Sequence, residues 1–222
     1  MTFTIYYFPI RGRAEVAKLV CAYAKEPWKL VEHSYEEQKN DLDTWPFGQS
    51  PRAVDEDSGA NIVQSNAIIR HLARKHKLYG ANEEEMTKVD ILLDAVEDLR
   101  MKYVPLIYVG KLEPKAKEEY WKTHGDKAGI NGRNGGAHFE YLERLLKKAG
   151  GTWFVGPAPT AADLAVYDII HLHLRDQLFP EEMKAQYPGL VAHHDRVEAL
   201  PGVKEYLASP DRLAAPNNNG LG

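Results

Sequence analysis

The texture of the chain changes once, after Leu78-Tyr79-Gly80-Ala81-Asn82, and that change constrains the fold more than any other feature. Upstream, short stretches rich in β-branched and aromatic residues are punctuated by turn residues. Residues 2–8 alternate and predict a first strand, and a second short strand is predicted around 28–33. Residues 51–55 and 61–63 predict two more, joined by a turn at 56–60. From Arg13, the residues Val16, Leu19, Val20, Tyr23 and Ala24 recur at helical spacing. Gln64-Ser65-Asn66 opens a second helix, with Ile68, Ile69, Leu72 and Ala73 on one face. Residues 34–48 read as polar and irregular. The order β-α-β, then β-β-α, predicts a small α/β domain.

Downstream, no stretch argues clearly for strands, and helical patterns dominate to about residue 208. The first runs from Glu84 through Val89, Leu92, Leu93, Val96, Leu99 and Tyr103, with Pro105 bending or interrupting it. A charged helix is predicted over 114–122, a Gly/Asn-rich loop over 125–136, and helices near 137–148, 160–175, 190–200 and 203–207. Thr160 and Asp163 fit a capping box, with Asp replacing the usual Glu. The expected architecture is α/β plus all-α: an α/β domain over 1–78, a linker over 79–83 and an all-helical domain over 84–222.

A chain of 222 residues is long enough for cores of this size. The net charge of -4 and pI near 6.1 give no electrostatic case for nucleic acid or an anionic membrane as partner. No run of about 18 apolar residues is present to span a membrane. The opening Met1-Thr2-Phe3-Thr4-Ile5 lacks a basic region followed by an apolar stretch, so it reads as a strand, and the expected compartment is the cytoplasm. Cys21 is the single cysteine, which excludes an intrachain disulfide and a cysteine-based metal site. Within an amphipathic helix it is a poor nucleophile candidate. His171-x-His173 and His193-His194 do not share a helical face in either pair, so no metal is expected.

Four constellations carry chemistry. In Tyr7-Phe8-Pro9-Ile10-Arg11-Gly12-Arg13, a phenol at a strand end sits beside a helix start, where backbone N–H groups favour an anion. Packing in a strand that favours tyrosine explains the same residue. In Phe47-Gly48-Gln49-Ser50-Pro51, a bend before a strand would present the backbone of Ser50 to an extended peptide, against the alternative of an ordinary edge-strand start. Gln64-Ser65-Asn66 places a hydroxyl at a helix N-terminus, as a cap, a carboxylate receptor or both. Val96-Glu97-Asp98-Leu99-Arg100 puts acidic residues on a long helix, a solvated face unless a ligand cation lies opposite.

Together, and in this order, these stretches resemble the cytosolic glutathione transferases, most closely the pi class with some sigma-like character. Lys102-Tyr103, Leu106-Ile107-Tyr108, Phe154-Val155-Gly156, the Thr160/Asp163 box and Leu207-Ala208-Ser209-Pro210 extend the resemblance over nearly the whole chain. It implies a thioredoxin-like N-terminal domain, a helical second domain and a homodimer, with glutathione as co-substrate and small hydrophobic electrophiles as the other partner. Tyr7 would stabilise the glutathione thiolate. Gln49 and Ser50, with Pro51 in cis, would hold the peptide backbone; Gln64, Ser65 and Arg13 would serve the γ-glutamyl carboxylate end. Asp98 of the second subunit would face the γ-glutamyl ammonium. Phe47 resembles an aromatic key, with Ile91 and Leu92 as walls of its lock, and Phe8, Ile10, Val104 and Tyr108 would line the electrophile site. The Trp and Lys that usually grip the glycine carboxylate have only Trp45 and Lys39 as candidates here, and the 125–136 loop is longer than the pi pattern carries. The alternatives are a glutathione-dependent isomerase of prostaglandin-synthase type and a non-catalytic, crystallin-like descendant.

Overall fold

The structure, a computed structural model, describes residues 2–222. Among them, four strands form one mixed sheet: β1 (Phe3–Tyr6), β2 (Trp28–Val31), β3 (Arg52–Asp55) and β4 (Ala60–Val63), in the order β2-β1-β3-β4. The β1/β2 pair is parallel, with Tyr6 opposite Val31, whereas β3 runs antiparallel to both β1 and β4. Parallel neighbours need a crossover. Here it is a 3-10 turn at Gly12–Ala14 running into α1 (Glu15–Ala24). α1 ends at Lys25, which takes the left-handed conformation (φ 56°) and closes the helix through its N–H. A short α2 (Tyr35–Asn40) follows β2, and α3 (Ser65–Lys75) follows β4. Leu19 and Val20 of α1, Ile68 and Leu72 of α3, and Phe3 and Ile5 of β1 are fully buried, which is where the predicted periodicities place the core.

The chain divides into two compact units: residues up to Leu78 together with Ala199–Asn217, and Tyr79–Glu198 with Asn218–Gly222. In the second unit lie α4 (Glu83–Tyr108), α5 (Pro114–Tyr120), α6 (Phe139–Lys148), α7 (Ala161–His173), α8 (Pro180–Gln186) and α9 (Pro188–Glu198). α7 is buried along almost its whole length and packs against α4 and α9. Within that core Arg100 of α4 meets Asp168 of α7 at 2.5 Å. The Thr160/Asp163 capping box is present, and the Asp163 carboxylate also accepts from Phe154 N–H at 2.9 Å. Pro105 does not interrupt α4, which continues through it to Tyr108. A proline forfeits one backbone bond, and here the helix has only three residues left to run. The 125–136 loop is tied down at both ends and in the middle: His124 Nδ1 lies 2.6 Å from Ala137 O, Tyr187 donates to Gly125 O, and Tyr141 donates to Asn134.

The last helix, α10 (Val203–Ala208), lies against α1 in the first unit. Buried Glu15 accepts from the Tyr206 hydroxyl at 2.9 Å and from Arg212 Nε at 3.2 Å. Farther along, Arg11 N–H donates to Ala215 O at 2.9 Å and Gly12 N–H to Pro216 O at 3.1 Å, so residues 206–216 brace the strand-to-helix turn. No helix among the described residues is long and apolar enough to cross a membrane.

Candidate active site

Tyr7 follows directly on β1, and its side chain is buried, 6% exposed. The phenol oxygen accepts a hydrogen bond from Arg13 N–H at 3.0 Å, at the opening turn of the helix. A hydroxyl that accepts from a backbone N–H is polarised into a better donor. The turn makes room for it through Gly12, whose φ is +43° and on which an added Cβ would lie 2.5 Å from Tyr7 Oη. Any side chain there would occupy the space of the phenol tip. Phe8 stacks on His33 and contacts the Tyr7 ring, and Ile10 is buried. Cys21, in α1, is fully buried, and burial pushes its thiol pKa up, so it supplies no nucleophile.

The two glutamines expected to hold peptide and carboxylate come together: Gln64 Nε2 donates to Gln49 Oε1 at 3.3 Å. Gln64 sits at φ 73° and ψ 118°, a conformation costly for a residue with a Cβ, of the kind that gathers at ligand-binding positions. It is the N-cap residue of α3 but its side chain does not cap the helix, and Ser65 is the first helical residue rather than the cap. The Ser50–Pro51 peptide is cis. Ser50 Oγ lies 2.7 Å from His33 Nε2 and also donates to Gln38 Oε1, while Gln38 Nε2 donates to Gly48 O at 3.4 Å. His33 and buried Gln38 thus fix the bend before β3. Sequence reasoning missed both, because a polar residue in a polar stretch carries no signal of burial. Gly12 was legible in principle, since a glycine between a strand and a helix marks a positive φ.

Trp45 is 1% exposed, stacked on His33 and edge-on to Tyr6, with the Arg52 guanidinium over its ring. Lys39 is exposed near the end of α2, beside Gly48 and over the Tyr35 ring. Arg13 is half-buried and Phe47 is 63% exposed. In the helical unit, Asp98 is exposed on α4, with Gly136 of the 125–136 loop next to its carboxylate. Val104 is half-buried. Tyr108 is exposed at the end of α4, its hydroxyl accepting from Asn218 N–H at 3.1 Å. Exposed Ile91 and buried Leu92 line a recess of about 220 Å³ with Lys88, Leu145 and Phe154.

A β-α-β-α-β-β-α order with a buried phenol at the first strand-to-helix turn and a cis-proline before β3, followed by a helical unit, defines a class: proteins with a thioredoxin-like N-terminal domain and a helical second domain. Residues 3–74 match the family described as Glutathione S-transferase, N-terminal domain, and residues 97–210 that described as Glutathione S-transferase, C-terminal domain. The chain belongs to the glutathione S-transferase family. It is 33% identical over 230 residues to Glutathione S-transferase P of Bos taurus, covering 98% of each chain. To Glutathione S-transferase P 1 of Xenopus laevis it is 36% identical over 220 residues, covering 96% of this chain and 95% of that one. Among solved structures, the Pi-class glutathione S-transferase of Onchocerca volvulus superposes over the whole of both chains, with a TM-score of 0.82 and 29% identity.

Proposed function

We propose that this chain conjugates the thiol of glutathione to hydrophobic electrophiles, with Tyr7 as the catalytic residue that stabilises the thiolate. The observation that carries the reading is the Arg13 N–H donated to the Tyr7 oxygen in a buried turn. A phenol that accepts this bond is a better O–H donor to a thiolate placed beside it. A free thiol has a pKa near 8.5, and a useful thiolate at neutrality needs a drop of about two units, or about 2.7 kcal/mol. A charge-assisted O–H···S⁻ bond supplies about 1.5–3 kcal/mol, and the helix N-terminus about 0.3–1 more. These terms suffice without a general base.

Around the thiolate, Gln49, Ser50 and Pro51 hold the peptide backbone of glutathione in strand fashion, and Gln64, Ser65 and Arg13 receive its γ-glutamyl carboxylate. The Gln49–Gln64 contact and the uncapped start of α3 support this assignment. Asp98 of a second copy pairs with the γ-glutamyl ammonium. Lys39 is the better candidate for the glycine carboxylate, being cationic and exposed, whereas Trp45 is enclosed by its neighbours. Phe8, Ile10, Val104 and Tyr108 line the electrophile side. The chain pairs as a homodimer with Phe47 as key and the Ile91/Leu92 recess as lock, a reading supported by the large exposed aromatic and the apolar recess. The enzyme works in the cytoplasm. The relatives are named as transferases, which favours conjugation over the isomerase and crystallin-like readings.

Tyr7→Phe tests the assignment. It should leave glutathione binding nearly intact and raise the kinetic pKa of the bound thiol by about a unit or more, since about 1.4 kcal/mol of lost stabilisation is one unit. An unchanged pH–rate profile in a folded variant would remove Tyr7 from the reaction.

A further inference from the structure

Two i, i+4 pairs face each other from adjacent helices of the helical unit. Tyr167 and His171 lie on α7, and His194 and Glu198 on α9. His171 Nδ1 is 3.1 Å from His194 Nε2, and Glu198 Oε1 is 3.4 Å from each of these nitrogens. Three ligand-type atoms therefore form a nearly equilateral triangle. The proton of His194 is assigned by its other side: Nδ1 lies 2.9 Å from Asp195 Oδ1, an acceptor only, so Nδ1 carries the hydrogen and Nε2 presents a lone pair to the triangle. Tyr167 donates its O–H to Glu198 Oε1 at 2.9 Å. Without a metal, a proton on His171 Nδ1 can hold the triangle together by donating to Glu198 Oε1 or His194 Nε2, and a bound cation would take the place of that proton.

We propose that His171 Nδ1, His194 Nε2 and Glu198 Oε1 bind a divalent transition metal of the zinc type. Zinc bonds to nitrogen and oxygen are about 2.0–2.2 Å, so two ligands at the tetrahedral angle stand about 3.3–3.5 Å apart. The two edges to Glu198, at 3.4 Å, match that spacing, and the His171–His194 edge, at 3.1 Å, is slightly shorter. Two imidazoles and one carboxylate select zinc and its neighbours over calcium or magnesium, which take oxygen ligands. The surroundings have the form such sites take: Asp195 orients one imidazole and Tyr167 orients the carboxylate. Both ligand-bearing helices are packed elements rather than loops, which fixes the triangle. Access exists, since the His171 side chain is 18% exposed and that of Glu198 is 38% exposed. The remaining position takes water. The ion cross-links α7 to α9. Spacing within one helix conceals the site, because its two histidines come from different helices.

Full-length protein is stripped with a chelator, dialysed and titrated with Zn²⁺ by calorimetry, and separately loaded with Co²⁺ for visible spectroscopy. We expect one saturable Zn²⁺ per chain and the intense Co²⁺ spectrum of a four-coordinate ion. His194→Gln and Glu198→Gln should each weaken Zn²⁺ binding by at least about tenfold, with native circular dichroism. His76→Gln, in the other unit, should bind like the parent protein. Glu198→Gln keeps an acceptor for Tyr167, so it reports on the site even if the histidine variant fails to fold. Absence of saturable binding, a cobalt spectrum like that of the aqueous ion, or folded ligand variants binding as tightly as the parent would each overturn the assignment.

Discussion

Gly12→Ala isolates the geometry of the phenol from its chemistry. The added Cβ would fall 2.5 Å from Tyr7 Oη and 2.9 Å from Cε1. Ordinary contact distances are about 3.5 Å, so the hydroxyl must retreat by about 1 Å. That movement opens the 3.0 Å bond from Arg13 N–H. A 1 Å misplacement of a catalytic group costs about 10²-fold in rate, which is the loss expected in kcat/KM for glutathione and a chloronitroaromatic. Stability falls too. The left-handed φ costs alanine about 1–2 kcal/mol, and the weakened hydrogen bond about 0.5–1.5 more. In a chain of this length each kcal/mol lowers Tm by about 2–4 °C, so a fall of about 3–14 °C is expected by calorimetry. The decisive comparison is Gly12→Ala on a Tyr7→Phe background. With the hydroxyl already gone, the alanine should add little further loss of rate, because the two changes act on one atom. A wild-type pH–rate profile in Gly12→Ala, or a full hundredfold loss added to that of Tyr7→Phe, would refute the reasoning.

Two stability predictions follow from buried carboxylates. Asp163 is fully buried and accepts from Phe154 N–H, Thr160 N–H and the Thr160 hydroxyl at 2.8–2.9 Å, with His193 Nε2 at 3.0 Å. Asp163→Ala orphans several donors at about 1–3 kcal/mol each and should lower the urea-unfolding free energy by about 3–5 kcal/mol; a loss below about 1 kcal/mol would mean the network is not structural. Burial alone would raise the pKa of Asp55, but hydrogen bonds from His71 at 2.7 Å and Lys75 at 3.1 Å outweigh it and hold the group at about 2, against an ordinary 3.8. A depressed pKa stabilises above the unfolded value and ceases to do so as pH falls through the folded one. The parent protein should therefore lose about 2 kcal/mol between pH 4 and pH 2 through this group, and Asp55→Asn should flatten that limb of the acid titration followed by circular dichroism.

Periodicity made much of the fold legible. The alternation of residues 2–8 and the apolar faces beginning at Val16 and Ile68 correspond to β1, α1 and α3. Two short helices left no such trace: α2 and α8 each fall in stretches too brief and polar to show a stripe. The attachment of residues 199–217 to the first unit was equally hidden. It depends on Glu15 meeting Tyr206 and Arg212, 191 and 197 positions away, and nothing in a helical repeat announces a partner so distant. At the site, the sequence drew attention to residues whose backbone setting is special, such as Tyr7 after a strand and Gln64 before a helix. His33 and Gln38, which act by holding Ser50, sit in no such setting. The same blindness applied to His171 and His194, whose neighbourhood is created by the packing of α7 on α9.

The brace of residues 206–216 on the strand-to-helix turn also sets a timetable for the nascent chain. The sheet strands and α3 leave the ribosome early, yet the groups that satisfy Glu15 and the Arg11 and Gly12 amides emerge about 140 residues later. At about 5–20 residues per second, that delay is on the order of ten seconds. During it the helices from Tyr79 to Glu198 emerge while the turn that positions Tyr7 still lacks its support, so a part of the molecule written early is completed late.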